Sequence, residues 1–331
     1  MASAREQPWL RWHDPEWRVE IEAWGVDHLT QLGRPVVGPV EQPHIRAWST
    51  AFTLPTAAGT VWLKAPIASL AHEVATLELL APRNGVMPRF ITGDRPRGWM
   101  LIDDAGQRLR ELEPPQLERW EEAVSLYARL QLDAADIVDE LVDGGVPDRR
   151  GALLAGQLNE LLDDETVLKP PTDAALTDDE IARLRDAVAQ IAADTSELGQ
   201  LGVPSSIHHD DLHDGNVFLD GGACRIIDWG DACIAHPLLT IDLTLRVVED
   251  VFGVAPDARE VERVRDAYLE PFTALTSRDD LLAVTPARRR VAEACNTIKW
   301  YEVWQSIPRA SWDDFIDGIP NKLRRLLRLC D

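Results

Sequence analysis

The hydrophobic and polar positions divide the chain into a short strand-rich beginning and a long helical remainder. In residues 18–32, Ile21, Trp24, Val26 and Leu29 recur at helical spacing. From Arg46 to Ala65 the period changes to two. There Thr50–Leu54 and Thr60–Leu63 flank the turn-forming Ala57-Ala58-Gly59, which predicts a hairpin. Ser69 is placed to cap a following helix that carries Leu70, Val74 and Leu77 on one face. Residues 98–102 form another apolar strand, broken by Asp103-Asp104-Ala105-Gly106.

Beyond this point helical periodicity dominates. Pro114-Pro115 opens a helix with Leu117, Trp120, Val124, Tyr127 and Leu130 on its apolar stripe. Thr177-Asp178-Asp179-Glu180 has the pattern of a capping box, starting a helix that runs to about Leu198. The acidic, proline-containing stretch 163–173 is expected to be a solvated linker. Further helices are expected over 238–252, 259–275, 286–305 and 312–329. One pair of strands interrupts them.

Composition narrows the function classes. The chain has 331 residues, and 34 Lys+Arg against 56 Asp+Glu give a net charge of −22. Hydrophobic residues, at 45%, suffice for a packed core. The acidity disfavours nucleic-acid binding, which needs a basic face. No uncharged apolar run reaches the roughly 18 residues of a membrane span. Residues 1–17 carry Arg5, Glu6, Arg11, His13, Asp14 and Glu16, so no secretory signal is expected. Cys224, Cys233, Cys295 and Cys330 show neither C-x-x-C nor zinc spacing. Free thiols in a cytoplasmic protein are expected.

The interrupting strand pair carries the chemistry. It reads Ile207-His208-His209-Asp210-Asp211-Leu212-His213-Asp214-Gly215-Asn216-Val217-Phe218-Leu219, then Asp220-Gly221-Gly222, then Ala223-Cys224-Arg225-Ile226-Ile227-Asp228-Trp229-Gly230-Asp231. Asp-Gly-Gly between short apolar runs predicts a hairpin. Folded about that turn, Asn216 is expected opposite Asp228, bringing two oxygen donors to one volume suited to Mg²⁺ with phosphate oxygens. Asp211, five residues before Asn216, is placed to face a substrate hydroxyl. A metallohydrolase is disfavoured because His208, His209 and His213 do not alternate as His-x-His-x-Asp-His.

His209, Asp211, Asn216, Asp228 and Gly230 match His-x-Asp-x-x-x-x-Asn followed by a hydrophobic strand and Asp-x-Gly. The segment resembles the catalytic loop of the aminoglycoside phosphotransferase family, related to choline kinases and protein kinases. The resemblance implies a two-lobed α+β, protein-kinase-like fold. A small sheet lobe with one helix, residues 1–103, would bind nucleotide, and a larger helical lobe, residues 104–331, would carry the catalytic hairpin. It implies ATP and Mg²⁺, Asp211 as catalytic base, Asn216 and Asp228 as metal ligands, and His209 as support of the loop. The rival reading is a nucleotide-binding regulatory protein without turnover.

The same resemblance assigns the upstream half. The chain has four lysines, Lys64, Lys169, Lys299 and Lys322. Lys64 ends the strand Val61-Trp62-Leu63 and resembles the lysine that meets nucleotide phosphates, with Glu73 as its partner and Glu78 a weaker candidate. Residues 100–106 resemble the hinge, where backbone near Ile102 and Asp103 would meet the adenine edge. No glycine-rich loop appears, and Ala47-Trp48-Ser49-Thr50-Ala51-Phe52 takes its place, with Ser49 and Thr50 as hydroxyl candidates. Asp210 stands where the family commonly has glycine. Thr240 falls where the family's next aspartate is expected, and Asp242 comes two residues late. For the hydroxyl acceptor, Asp231, Trp300, Glu302 and Trp304 are candidates, with Tyr301, Trp312, Asp313, Asp314 and Asp317 nearby. Aromatic rings beside carboxylates suit a small amine-bearing molecule such as an aminosugar.

Overall fold

A computed structural model describes residues 10–331, apart from the side chains of Arg309, Asp313 and Asp314. Arg5, Glu6 and Trp9 therefore lie outside the described residues, as do the two candidate carboxylates Asp313 and Asp314.

Strands β1 (Glu41–Ile45), β2 (Ser49–Thr56), β3 (Gly59–Pro66), β4 (Phe90–Asp94) and β5 (Trp99–Asp103) form an antiparallel sheet in the order β1-β2-β3-β5-β4. The expected β2–β3 hairpin is present and longer, with Thr56 paired to Gly59 at its turn. Helix α1 (Pro15–Gln31), capped by Asp14, crosses one face of the sheet. Its Gly25 lies so close to the sheet that a Cβ there would stand 3.0 Å from Leu63 and 3.2 Å from Leu54. Helix α2 (Glu73–Leu80) lies on the opposite face. Ser69 does not cap it. Residues 68–70 form a 3-10 turn, the Ser69 hydroxyl is buried without a partner, and α2 starts after His72.

The rest is the larger lobe. Short strand β6 (Gln107–Arg108) leads to α3 (Leu117–Ala134), α4 (Val138–Asp143), α5 (Ala152–Leu162), α6 (Glu165–Leu168) and α7 (Asp178–Gly199). The capping box at Thr177 and Glu180 is formed as expected. The supposed linker is partly helical instead. Asp164 caps α6, and Val167 and Leu168 are 2% exposed, so only the acidic side of this segment meets solvent.

Strands β7 (Ser206–His208), β8 (Val217–Asp220), β9 (Ala223–Ile226) and β10 (Cys233–Ala235) follow, with β6 pairing to β8 and β10 to β7. Helices α8 (Ile241–Phe252), α9 (Arg259–Leu269), α10 (Arg278–Ala283), α11 (Thr285–Ser306) and α12 (Gly318–Cys330) complete the lobe. Three helices are shorter than the periodicity suggests. Residues 237–240, 270–274 and 309–314 are 3-10 turns, and Pro271 deprives the end of α9 of a donor. All four cysteines are unpaired. Among the described residues no helix is long and apolar enough to cross a membrane.

The two lobes interlock. Val74, Leu77 and Leu80 of α2 belong to the large-lobe core, whereas Val303 and Ile307 near the end of α11 pack with the sheet and α1. At the crossing, Gly106 has φ +90°, and a Cβ there would stand 2.2 Å from the Leu219 carbonyl oxygen. Gly221, φ +58°, has nothing within 4 Å. Gly106→Ala should therefore lower unfolding free energy by at least about 2 kcal/mol. Gly221→Ala should cost about 1 kcal/mol. Urea unfolding of both variants checks this, and equal midpoints would contradict it.

Candidate active site

Alternation along β3 decides which way its lysine points. Val61 and Leu63 are fully buried toward α1, so Lys64 faces the cleft between the lobes. There its Nζ lies 2.7 Å from Glu73 and 2.5 Å from Asp228. Glu73 is buried and also accepts the backbone N–H of Trp229 (3.0 Å). One ammonium thus joins the sheet, α2 and the exit of the β8–β9 hairpin. Burial opposes the Lys64 charge, but Asp228 and Glu73 more than offset it and raise its pKa. In return, against desolvation in the cleft, Lys64 holds the Asp228 carboxyl at about 2. Glu78, the other glutamate of α2, accepts from Arg95 instead.

The hairpin register differs from expectation by one residue. The turn is Gly221-Gly222, both with positive φ, and Val217 pairs with Ile226. Ile227, not Asp228, is therefore opposite Asn216, and its N–H donates to the Asn216 carbonyl (2.9 Å). Asp228 leaves the ladder in a left-handed conformation, φ 66°. That turn directs its half-exposed carboxylate to Lys64.

The loop before β8 is held from several sides. His209 is buried and donates from Nε2 to the Ile227 carbonyl (3.0 Å), while its ring packs on Trp229 at 4.7 Å. Tyr127 of α3 accepts the His209 N–H (2.9 Å), and Gln131 donates to the Ile207 carbonyl (2.8 Å). Thr240 contacts Tyr127 (3.0 Å) and His208 Nδ1 (2.7 Å), so it braces the loop from the position where the family has aspartate. Asp242 does not. It receives Arg288 and Arg289 on α11.

Asp210 adopts φ 57°, the left-handed conformation that glycine adopts without strain. Its carboxylate offsets that strain by contacts with His208 (3.3 Å), Asn296 (3.2 Å) and Lys299 (3.8 Å). Burial alone would raise its pKa, but Lys299 and His208 hold it at about 2. Asp211 follows, about one-third exposed at the mouth of a cavity of about 260 Å³. Asn216 Nδ2 donates to the Asp211 carbonyl (2.9 Å) and carboxylate (3.2 Å), and His213 lies 3.4 Å from the same carboxylate.

With its amide nitrogen so engaged, Asn216 keeps its amide oxygen for another partner. That oxygen and the Asp228 carboxylate are hard donors suited to Mg²⁺. Among the described residues no group of three His, Cys, Asp or Glu is arranged to hold a metal. A two-donor site fits an ion that arrives with phosphate oxygens.

Other candidates fare unevenly. Thr50 is buried, and its hydroxyl donates to the His44 carbonyl (2.8 Å) and accepts from Gln42 (2.9 Å), so it fastens β1 to β2. Ser49 is buried opposite Pro66. Ile102 sits within the sheet, paired to both Trp62 and Phe90. The Asp103 N–H donates to the Arg89 carbonyl and its carboxylate binds Arg34.

On the acceptor side, Asp231 receives Lys299 (2.8 Å) and Glu302 receives buried Arg149 (2.7 Å). Neither is a vacant carboxylate for an amine. Trp304 stacks on Trp312 at 4.0 Å, and Tyr301 and Asp317 bind Asp164 and Thr172. Trp300 lines the cavity and meets Trp48 of the small lobe edge-on at 5.5 Å.

The profile of the phosphotransferase enzyme family, APH, matches residues 60–281. The chain belongs to this family. The matched region contains Lys64, Glu73 and the whole β8–β9 hairpin with the loop before it. No curated protein matches the sequence. Solved structures share the fold at low identity. Choline kinase LicA from Streptococcus pneumoniae is 14% identical, with a TM-score of 0.60 over 94% of this chain and 98% of its own. A choline/ethanolamine kinase family protein from Mesorhizobium loti is 19% identical, with a TM-score of 0.58 over 93% and 94%. An amicoumacin kinase in complex with AMP-PNP and Ca²⁺ is 13% identical, with a TM-score of 0.55 over 95% of both chains. The two-lobed kinase-like fold expected of the family is thereby established.

Sequence reasoning missed Lys299, Lys322 and Asn296 in this phosphotransferase. Lysine scarcity singled out Lys64, and it was an equal signal for the other two. Lys64 lies between the lobes, Lys299 and Lys322 line the cavity beside Asp211, and only Lys169 pairs elsewhere, with Asp178.

Three buried histidines of the phosphotransferase, His72, His209 and His236, are pushed down to about 4 by burial. The unfolded chain takes up these protons near pH 6.5, so stability is lost as pH falls from 6.5 toward 4. Asp231, pushed up to about 6 by burial against the pull of Lys299, works in the other direction, as do the smaller raises of His213, Glu73, Glu293 and Glu302. The melting temperature should fall by several degrees between pH 7 and pH 5. A flat profile across that window would contradict this balance.

Proposed function

We propose that this protein is a kinase that transfers the γ-phosphate of Mg·ATP to a hydroxyl of a small molecule, with Asp211 as the base. The observation that carries the reading is the succession Glu73–Lys64–Asp228 and Asn216–Asp211, which runs from the contact between the lobes to a cavity lined by Asp211. The division of labour is a nucleotide lobe over residues 1–103 and a catalytic lobe over residues 104–331, in a cytoplasmic protein.

Lys64 holds the nucleotide phosphates, and Glu73 keeps its ammonium oriented and charged. Asn216 and Asp228 hold Mg²⁺, which offsets phosphate charge when bound. With the N–H groups of Asp103 and Asp104 already donated to Arg89 and Thr60, adenine meets this edge through the Asp103 carbonyl and the next N–H, that of Ala105. Asp211 accepts the hydroxyl proton. Asn216 Nδ2 and His213 fix its carboxylate so that one oxygen faces the cavity. His209 touches neither substrate and acts by positioning the loop. The fold neighbours named for choline, ethanolamine and amicoumacin support a small-molecule acceptor.

Asp211→Ala should lower turnover by at least about a hundredfold while Mg·ADP binding is retained. Coupled-assay ATP consumption, measured beside calorimetric Mg·ADP titration, checks both halves. Full turnover in the variant would remove Asp211 from its role.

A further inference from the structure

The cavity beside Asp211 reverses the charge of the chain around it. Its wall carries five lysines and arginines and four aspartates and glutamates, in a protein whose acids outnumber its bases 56 to 34. Asp211 lines this cavity, whereas Lys64, Glu73, Asn216 and Asp228 do not. It therefore lies on the side of Asp211 away from the nucleotide cleft.

Pairing within the wall is uneven. Asp242 is held by Arg288 and Arg289, Glu293 by Arg325 (2.8 Å), and Asp210 by His208 and Lys299. Lys322 of α12 and Arg246 of α8 are left, among the described residues, without a carboxylate in ion-pair range. Lys322 is half-buried. Its Nζ donates to the Asn296 side-chain oxygen and lies 5.6 Å from the centre of the Trp300 ring. Lys299 lies 4.9 Å from the same ring centre. Burial and then Lys299 push the Lys322 ammonium down to about 8, against the weaker pulls of Glu293 and Asp210, neither of which is in ion-pair range. Trp300 and Lys322 also border a second cavity of about 390 Å³, walled by Trp48, Trp304 and Phe315, which gives room for a ring or an apolar body.

We propose that the acceptor carries an anionic group, a carboxylate or a phosphate, received by Lys322 and Arg246 while its hydroxyl faces Asp211. This rests on the kinase reading for the word acceptor, but the binding it claims does not need turnover. It replaces the amine-bearing acceptor, whose expected carboxylates Asp231 and Glu302 are already occupied. The surplus cations complement an acid and repel an amine.

The test is calorimetric titration of the full protein saturated with Mg·AMP-PNP. Two matched series supply the ligands: glucosamine, glucose and glucuronate, and tyramine, tyrosol and 4-hydroxyphenylacetate. Glucose 6-phosphate serves as the phosphate arm, so that carboxylate and phosphate preferences are read apart. In at least one series the acid, or in the sugar series glucose 6-phosphate, should bind at least about tenfold more tightly than the amine. Lys322→Met should abolish that preference, and Lys322→Arg should keep it. Amines binding as tightly as the anions in both series, no binding of either the acids or glucose 6-phosphate, or a preference that survives Lys322→Met would overturn the proposal. Failure of Mg·AMP-PNP itself to bind would instead strike the kinase reading.

Discussion

The structure depends on one buried cation. Lys64 brings together a strand of the small sheet, a helix on its inner face and the exit of a hairpin in the other lobe. Each partner is costly to bury alone. Glu73 is 2% exposed, and without the ammonium it would be an uncompensated charge between the lobes. Lys64 is therefore a lobe-to-lobe tie, and in the proposed kinase it is also the group that would meet phosphate. A phosphate that enters the cleft competes with Asp228 for the same ammonium.

Around that tie, the backbone is strained on either side of the proposed catalytic loop. Asp210 and Asp228 are the two described non-glycine residues with positive φ, and they bracket the loop and hairpin. Each costs roughly 1–2 kcal/mol in backbone energy. Contacts with Lys299, Asn296 and His208 offset the first, and Lys64 offsets the second. The strain turns Asp211 toward the cavity and Asp228 toward the cleft, which a regular hairpin would not do.

Much of this was legible in the sequence because it is local. The capping box at Thr177, the hairpin at Gly221-Gly222, and the spacing of His209, Asp211, Asn216 and Asp228 are short-range patterns with direct physical meaning. Period-two alternation placed Lys64 on its strand, which runs two residues further, to Pro66. The hairpin register was misjudged by one residue because it is set by the two-residue turn at Gly221-Gly222, and the left-handed Asp228 beyond the ladder cannot be foreseen from alternation. The acceptor wall was not legible either. Which side chains of α11 and α12 face Asp211 depends on how two distant helices pack. Glu302 and Asp231 thus seemed available and proved to be paired, while Lys322 and Asn296 passed unnoticed. The acidity of the whole chain was no guide to this wall, whose lining residues do not share that charge balance.

The most direct measurement is a crystal structure with Mg·AMP-PNP. The account predicts the γ-phosphate between Lys64 and Asp211, with Asn216 and Asp228 on the metal and the triphosphate facing the cavity mouth. A nucleotide bound away from Lys64, or a metal that touches neither Asn216 nor Asp228, would contradict it.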